Sequence, residues 1–207
     1  MAWVIAGLGN PGEEYDLTRH NTGRMAVDFF AHAMKFSDWH VDMKAKAHVR
    51  SGMVGKTAVA LVAPDTFMNK SGVAVARFVK SAKAAERLVV VHDDLDLPLG
   101  SMKISYDRGS GGHKGLESVM RAVKTKRFIR VRIGVSPTTT SGLLRKPEGE
   151  KAVLDFILTK FSVKGGSTSG GKTSELGEMR KVFKRVAEAL TTIVSEGRER
   201  AMNEFNC

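Results

Sequence analysis

Apolar residues in this chain follow two alternating rhythms. Short runs of consecutive or alternating apolar positions predict strands at residues 3–7, 49–51, 57–63, 88–91, 101–106 and 128–135. Between them, apolar residues recur every three or four positions, which gathers them on one side of a helix. Met25, Phe29, Phe30 and Ala33 give such a face over residues 22–34, with Asn21 or Thr22 as N-cap. Val75, Phe78, Val79 and Ala82 give another over 71–82, and Leu116, Val119, Met120 and Val123 a third from about His113. The longest covers 174–198, where Leu176, Met179, Phe183, Val186, Leu190 and Ile193 step by three and four. Glu175 and Glu178 fall in its first turn, where the helix dipole favours negative charge.

Strands alternating with helices predict one layered α/β domain over residues 1–207. The 88–91 run (LVVV) is apolar throughout, as in a strand buried on both faces, and is expected to end at His92. Residues 128–135 alternate, with Ile129, Val131 and Ile133 on one face and Arg130 and Arg132 on the other. Two linkers follow, at 136–150 and in the Gly/Ser-rich KGGSTSGGKT of 164–173. Together they make 136–173 a flexible loop or lid region, with the apolar residues around Leu158 unplaced.

Charge adds one expectation. There are 33 Lys+Arg against 22 Asp+Glu, a formal +11, which suits a polyanionic partner such as nucleic acid. The single cysteine, Cys207, rules out an intramolecular disulfide and a cysteine metal site, and is compatible with a reducing cytoplasm. No signal peptide is evident, and no apolar run approaches the roughly 20 residues of a membrane span.

Candidate chemistry gathers first at residues 4–23. The opening apolar run ends in Gly7, Gly9 and Gly12, and a polar loop then delivers His20 between Arg19 and Asn21. Ligand crevices in open α/β sheets lie beyond the carboxyl ends of strands, which makes this loop the first candidate reaction centre. The three glycines formally match a dinucleotide fingerprint. However, residues 13–21 have no apolar helical face, and Asp28 lies inside a helix pattern rather than at a strand end. His20, His92, Asp93, Asp94, Asp96 and His113 could supply metal ligands, but at no recognised metal spacing. Metal-free hydrolysis fits better. A histidine base needs a carboxylate to fix its tautomer and neutral donors for the oxyanion. His20 and Asp93 each follow a predicted strand and would meet if those strands are neighbours, while Asn10 and Asn69 sit on comparable loops.

GLGNPG from Gly7, Tyr15, TRHNTG from Thr18, TFMNKSG from Thr66, HDDLDLPLG from His92 and GGHKGL from Gly111 together resemble bacterial-type peptidyl-tRNA hydrolase. The blocks cover about residues 2–135, and as a set they are highly specific. The resemblance implies a single-domain α/β fold with a twisted mixed sheet flanked by helices, of the phosphorylase/hydrolase-like kind. It further implies a cytoplasmic monomer needing no metal or other cofactor, which hydrolyses the ester joining a peptide to the 3′ end of tRNA. His20 matches the family's general base, and Asp93 the carboxylate that stabilises it. Asn10 matches the residue that helps tell blocked from free aminoacyl ends. Tyr15, Phe67, Met68 and Asn69 match positions lining the peptide and 3′-end cleft, and His113 has a supporting place. Lys103 and Arg132 match basic positions facing the acceptor stem.

The chain departs from the family pattern where Lys114 replaces the usual Asn and Ser105 a common basic residue. A Lys114 pointing into the cleft would hold substrate and oppose the effect of Asp93 on His20; one pointing outward would meet only solvent or phosphate. The competing function is a non-catalytic RNA-binding protein on the same scaffold, like the organellar relatives that serve intron splicing.

Overall fold

The computed structural model describes residues 2–164 and 174–206. Its centre is β1 (Trp3–Gly7), whose last four residues are buried. Around it lie β2 (His40–Asp42), β3 (Ala47–Val54), β4 (Thr57–Pro64), β5 (Leu88–Pro98), β6 (Met102–Tyr106) and β7 (Ile129–Ser136). The described strands form one sheet in the order β2-β3-β4-β1-β5-β7-β6. β1 runs parallel to β4 and β5, and β5 parallel to β7. The outer pairs β2–β3, β3–β4 and β6–β7 are antiparallel, so the sheet is mixed, as expected.

Helices cover both faces. α1 (Thr22–Ala33) and α6 (Glu175–Glu196) pack through Val27, Phe30, Met179, Phe183 and Leu190 against Ile5, Val89, Val91 and Val131. α2 (Ser71–Phe78) and α4 (Lys114–Val123) pack through Val75, Leu116 and Val119 against Val4, Ala6, Leu88 and Val90. The apolar run of β5 is thus buried on both sides, which is why it shows no alternation. α7 (Arg198–Phe205) leads to Asn206, whose side chain accepts from Ile104 N at 2.7 Å and donates to Ile104 O at 2.9 Å. These bonds satisfy backbone groups on the edge strand β6 that would otherwise be open to pairing.

Several elements differ from the sequence expectation. β5 does not stop at Val91 but runs through the acidic block to Pro98, because β7 pairs with it there. The 71–82 helix breaks after Phe78, and a single turn, α3 (Ala82–Ala85), follows a serine cap at Ser81. The 136–173 region is not all loop, since α5 (Glu150–Ile157) lies within it. Apart from Lys164, the KGGSTSGGKT segment falls outside the described residues. α6 ends at Glu196, close to the expected limit, and beyond Gly197, at φ 95°, α7 is a further helix that the apolar pattern does not announce; Ser174 caps α6 by accepting from Gly177 N. The side chain of Asn21 does not cap α1.

Arg130 shares a face with Arg132, as the alternation predicts, yet it is only 1% exposed. Its guanidinium lies 4.2 Å from the Phe128 ring centroid and donates to the carbonyls of Lys126, Phe128 and Arg108. It therefore latches the turn before β7 to the loop that leads into α4. Burial pushes its pKa down to about 10, against the pull of Asp107. Arg130→Met keeps much of the volume but strips those carbonyls of a charged donor. It should cost about 2–3 kcal/mol of unfolding free energy in a denaturant titration. An unchanged midpoint would show that the latch carries no stability.

Candidate active site

The site forms where β1, β5 and α4 converge. After β1 the chain makes two short 3₁₀ turns, Glu13–Tyr15 and Arg19–Asn21, and enters α1 directly. Gly23 lets this happen. A Cβ there would collide with Val91 O and with the backbone of Leu8, so only glycine lets α1 start against the ends of β1 and β5. The close approach brings His20 over β5.

His20 Nδ1 stands 3.1 and 3.0 Å from the two oxygens of Asp93, and the side chains are 9% and 3% exposed. A second histidine reaches the same carboxylate: His113 Nε2 lies 3.0 Å from Asp93 Oδ1. His113 is also the N-cap of α4, where its Nδ1 accepts from Gly115 N and Leu116 N at 3.1 and 3.3 Å. Accepting at Nδ1 leaves the proton on Nε2, which then donates to Asp93. The supporting place that the resemblance implies for His113 is thus filled by a ring that also caps α4.

An ionised carboxylate only accepts, so His20 must donate from Nδ1 and keep its lone pair on Nε2. Burial lowers the His20 pKa, but the charge and hydrogen bonds of Asp93 more than offset this and leave it raised. Asp93 would be pushed up by burial, yet the facing histidines hold it well below the usual carboxylate range. His92 lies behind, its ring centroid 4.9 Å from that of His113, and its Nδ1 donates to Asp93 O at 2.6 Å. Complete burial, reinforced by His113, pushes its pKa down to about 3, so it stays neutral.

Asn10 is fixed through Asn21, a residue that sequence reasoning saw only as a cap. Asn21 Oδ1 accepts from Asn10 N at 2.8 Å and its Nδ2 donates to Asn10 O at 2.9 Å. Asn10 Oδ1 in turn accepts from Met68 N at 2.8 Å, which orients its amide nitrogen as the remaining donor. Met68 and Asn69 form the next 3₁₀ turn, with Met68 buried and Asn69 exposed. Phe67 is 58% exposed and meets Tyr15 edge-on at 6.4 Å. Lys103 is exposed opposite Arg132 in the β6–β7 register, and Arg132 Nε donates to Asp94 Oδ2 at 2.6 Å. Lys114 is not turned into the cleft: its side chain is 64% exposed, with Nζ 4.0 Å from Glu117.

Ligand atoms of His20, Asp93 and His113 lie within 4.8 Å of one another, close enough to share a metal ion. Their present geometry is that of hydrogen bonds, and a metal would have to displace the protons that bind the carboxylate. The acidic block read from sequence is dispersed instead, since Asp94 bonds Arg132 and Asp96 bonds Lys146.

With this geometry in view, similarity to known proteins is informative. A family model described as peptidyl-tRNA hydrolase matches residues 4–207. The chain belongs to that family. It is 37% identical to a peptidyl-tRNA hydrolase of Chloroflexus aggregans over 99% of this chain and 98% of the relative. A Thermotoga petrophila peptidyl-tRNA hydrolase is 38% identical, over 98% and 96% of the two chains. The crystal structure of the Acinetobacter baumannii enzyme superposes with a TM-score of 0.83 at 28% identity, covering 100% of this chain and 95% of that one.

The Asp93 geometry makes a titration prediction. The His20 resonance should titrate above 6.5 in an NMR pH series. In Asp93→Asn the raising charge is gone and burial acts alone, so the midpoint should fall below its wild-type value. An unmoved midpoint would mean that Asp93 does not control the ring.

Proposed function

We propose that His20 Nε2 takes a proton from water as that water attacks the ester carbonyl of peptidyl-tRNA. Hydrolysis of peptidyl-tRNA is the reaction of the family to which the chain belongs. The observation that carries the mechanism is the double grip on Asp93 by His20 Nδ1 and His113 Nε2. It leaves Nε2 of His20 as a base whose raised pKa strengthens its hold on a proton. As the proton arrives, Asp93 stabilises the imidazolium, and His113 keeps the carboxylate from turning away.

The amide of Asn10, aimed by Asn21 and Met68, donates to the peptide carbonyl, and Asn69 does so from the neighbouring turn. Tyr15, Phe67 and Met68 offer the apolar wall of the peptide cleft. Lys103 and Arg132, side by side on β6 and β7, meet acceptor-stem phosphates. Lys114, on the outer side of α4, meets phosphate or solvent and leaves His20 alone. We take residues 1–207 as one domain acting as a monomer in the cytoplasm. Among the described residues no helix is long and apolar enough to cross a membrane. An intact base–carboxylate pair favours this reading over a non-catalytic RNA-binding protein.

His20→Ala should lower kcat on peptidyl-tRNA by roughly 10²–10⁴-fold while RNA affinity holds. Turnover near wild type would exclude His20 as the base. Arg132→Ala should raise KM for full peptidyl-tRNA and make log KM less dependent on log salt by about one phosphate contact. It should barely affect a minimal peptidyl-nucleotide. Equal loss on both substrates would assign Arg132 to folding or chemistry rather than to the acceptor stem.

A further inference from the structure

Arg19 precedes the proposed base, and its side chain is only 9% exposed. Its guanidinium carbon lies 4.8 Å from the ring centroid of Phe156, on α5, and 4.9 Å from that of Phe161. Nη2 donates to Glu175 Oε1 at 2.7 Å, at the first residue of α6, while Glu175 Oε2 accepts from Ser162 N at 2.9 Å. The backbone joins the same partners. Arg19 N donates to Thr159 O at 3.0 Å, Phe161 N donates to Leu17 O at 2.9 Å, and Thr18 bridges Lys160. On its other side, Arg19 O accepts from Thr22 Oγ1 at 2.6 Å, at the start of α1.

Two features set this contact apart from ordinary packing. Arg19 Nε and Nη1 are buried without a partner among the described residues, which opposes folding. An apolar side chain would fill the space between the rings without that penalty. The guanidinium instead lies over two rings while Nη2 meets a carboxylate, a combination that lysine lacks. Asp93 holds only the ring of His20, and Asn21 ties the turn to Asn10 on one flank; on the other flank the Arg19 side chain adds to the backbone bonds of residues 17–19 with 159–161 and carries the tie on to the start of α6.

We propose that Arg19 is a positioning residue for the reaction, holding the 3₁₀ turn against α5 and the start of α6 so that His20 Nε2 faces the water. This rests on His20 being the base, and the test separates the two claims. Arg19→Met is measured alone and combined with His20→Ala, following kcat and KM on peptidyl-tRNA. Arg19→Met should lower kcat about tenfold or more with KM within about twofold, since small misplacements of a base are expensive. In the His20→Ala background it should cause no further loss, because it acts through the missing ring. Glu175→Gln, which leaves the stacked rings in place, should lower kcat in the same pattern and carries the test if Arg19→Met folds poorly. A wild-type kcat in a folded Arg19→Met or Glu175→Gln protein overturns the proposal. So does an equal loss in both backgrounds, which would mark a structural role. Near-normal turnover of His20→Ala alone overturns the base assignment, and this proposal with it.

Discussion

A carboxylate buried in the protein interior needs donors, and much of the site follows from how Asp93 finds them. With its side chain 3% exposed, Asp93 would be costly to keep charged without partners. Its donors come from different parts of the chain: His20 from the turn before α1, and His113 from the cap of α4. Meeting that need fixes two tautomers at once. His113 is fixed by its cap, His20 by the carboxylate, and the one lone pair left over is His20 Nε2. Stability and chemistry are coupled here. The arrangement that makes Asp93 tolerable in the interior is the one that leaves His20 Nε2 with the lone pair the proposed base requires.

The elements that bring these groups together were legible because their patterns were strong. β1, the apolar half of β5, α4 and the whole of α6 follow from periodicity, and the glycines after β1 marked a strand end. Other features depended on partners that periodicity does not report. The acidic half of β5 looks like a loop, yet β7 supplies its backbone bonds as far as Pro98. β2 is three residues with an exposed valine, and only its pairing with β3 makes it a strand. α5 leaves Leu154 half-exposed, so its apolar face is thin. Asn21 gave no local sign that it would bind the backbone of Asn10 eleven residues earlier. His20 and Asp93 were found on composition and position, and the family blocks named them; His113 had only a supporting place, and its hydrogen bonds to both the α4 backbone and Asp93 emerge from the fold.

Arg130 and Arg132 show how far alternation can be trusted. It places both on one face correctly, but says nothing of what covers that face. At position 130 the cover is Phe128 and the loop carbonyl of Arg108, and the cation is sealed in. Two residues on, the covering ends, Arg132 is partly open, and Asp94 holds its Nε while its remaining nitrogens stay out of that bond. The same residue type thus serves as an internal latch and as a half-exposed cation. A net charge of +11 counts both equally, so overall charge indicates a polyanionic partner without saying where it binds.

Lys114 illustrates the same point for an apparent change in the site itself. Its place next to His113 in sequence suggests a charge acting on His20. In a helix, however, successive residues diverge by about 100°. His113 turns inward as the cap, and Lys114, the first residue of α4, projects outward to within 4.0 Å of Glu117. Solvent and that carboxylate both screen the ammonium from His20. The hydrogen bonds that set the tautomer of His20 are all made by Asp93 and His113, and none of them passes through position 114. A charged residue can therefore stand next to His113 while the grip on Asp93 stays whole. What the ammonium does change is the charge on the outer surface of α4, where it lies 64% exposed beside Glu117.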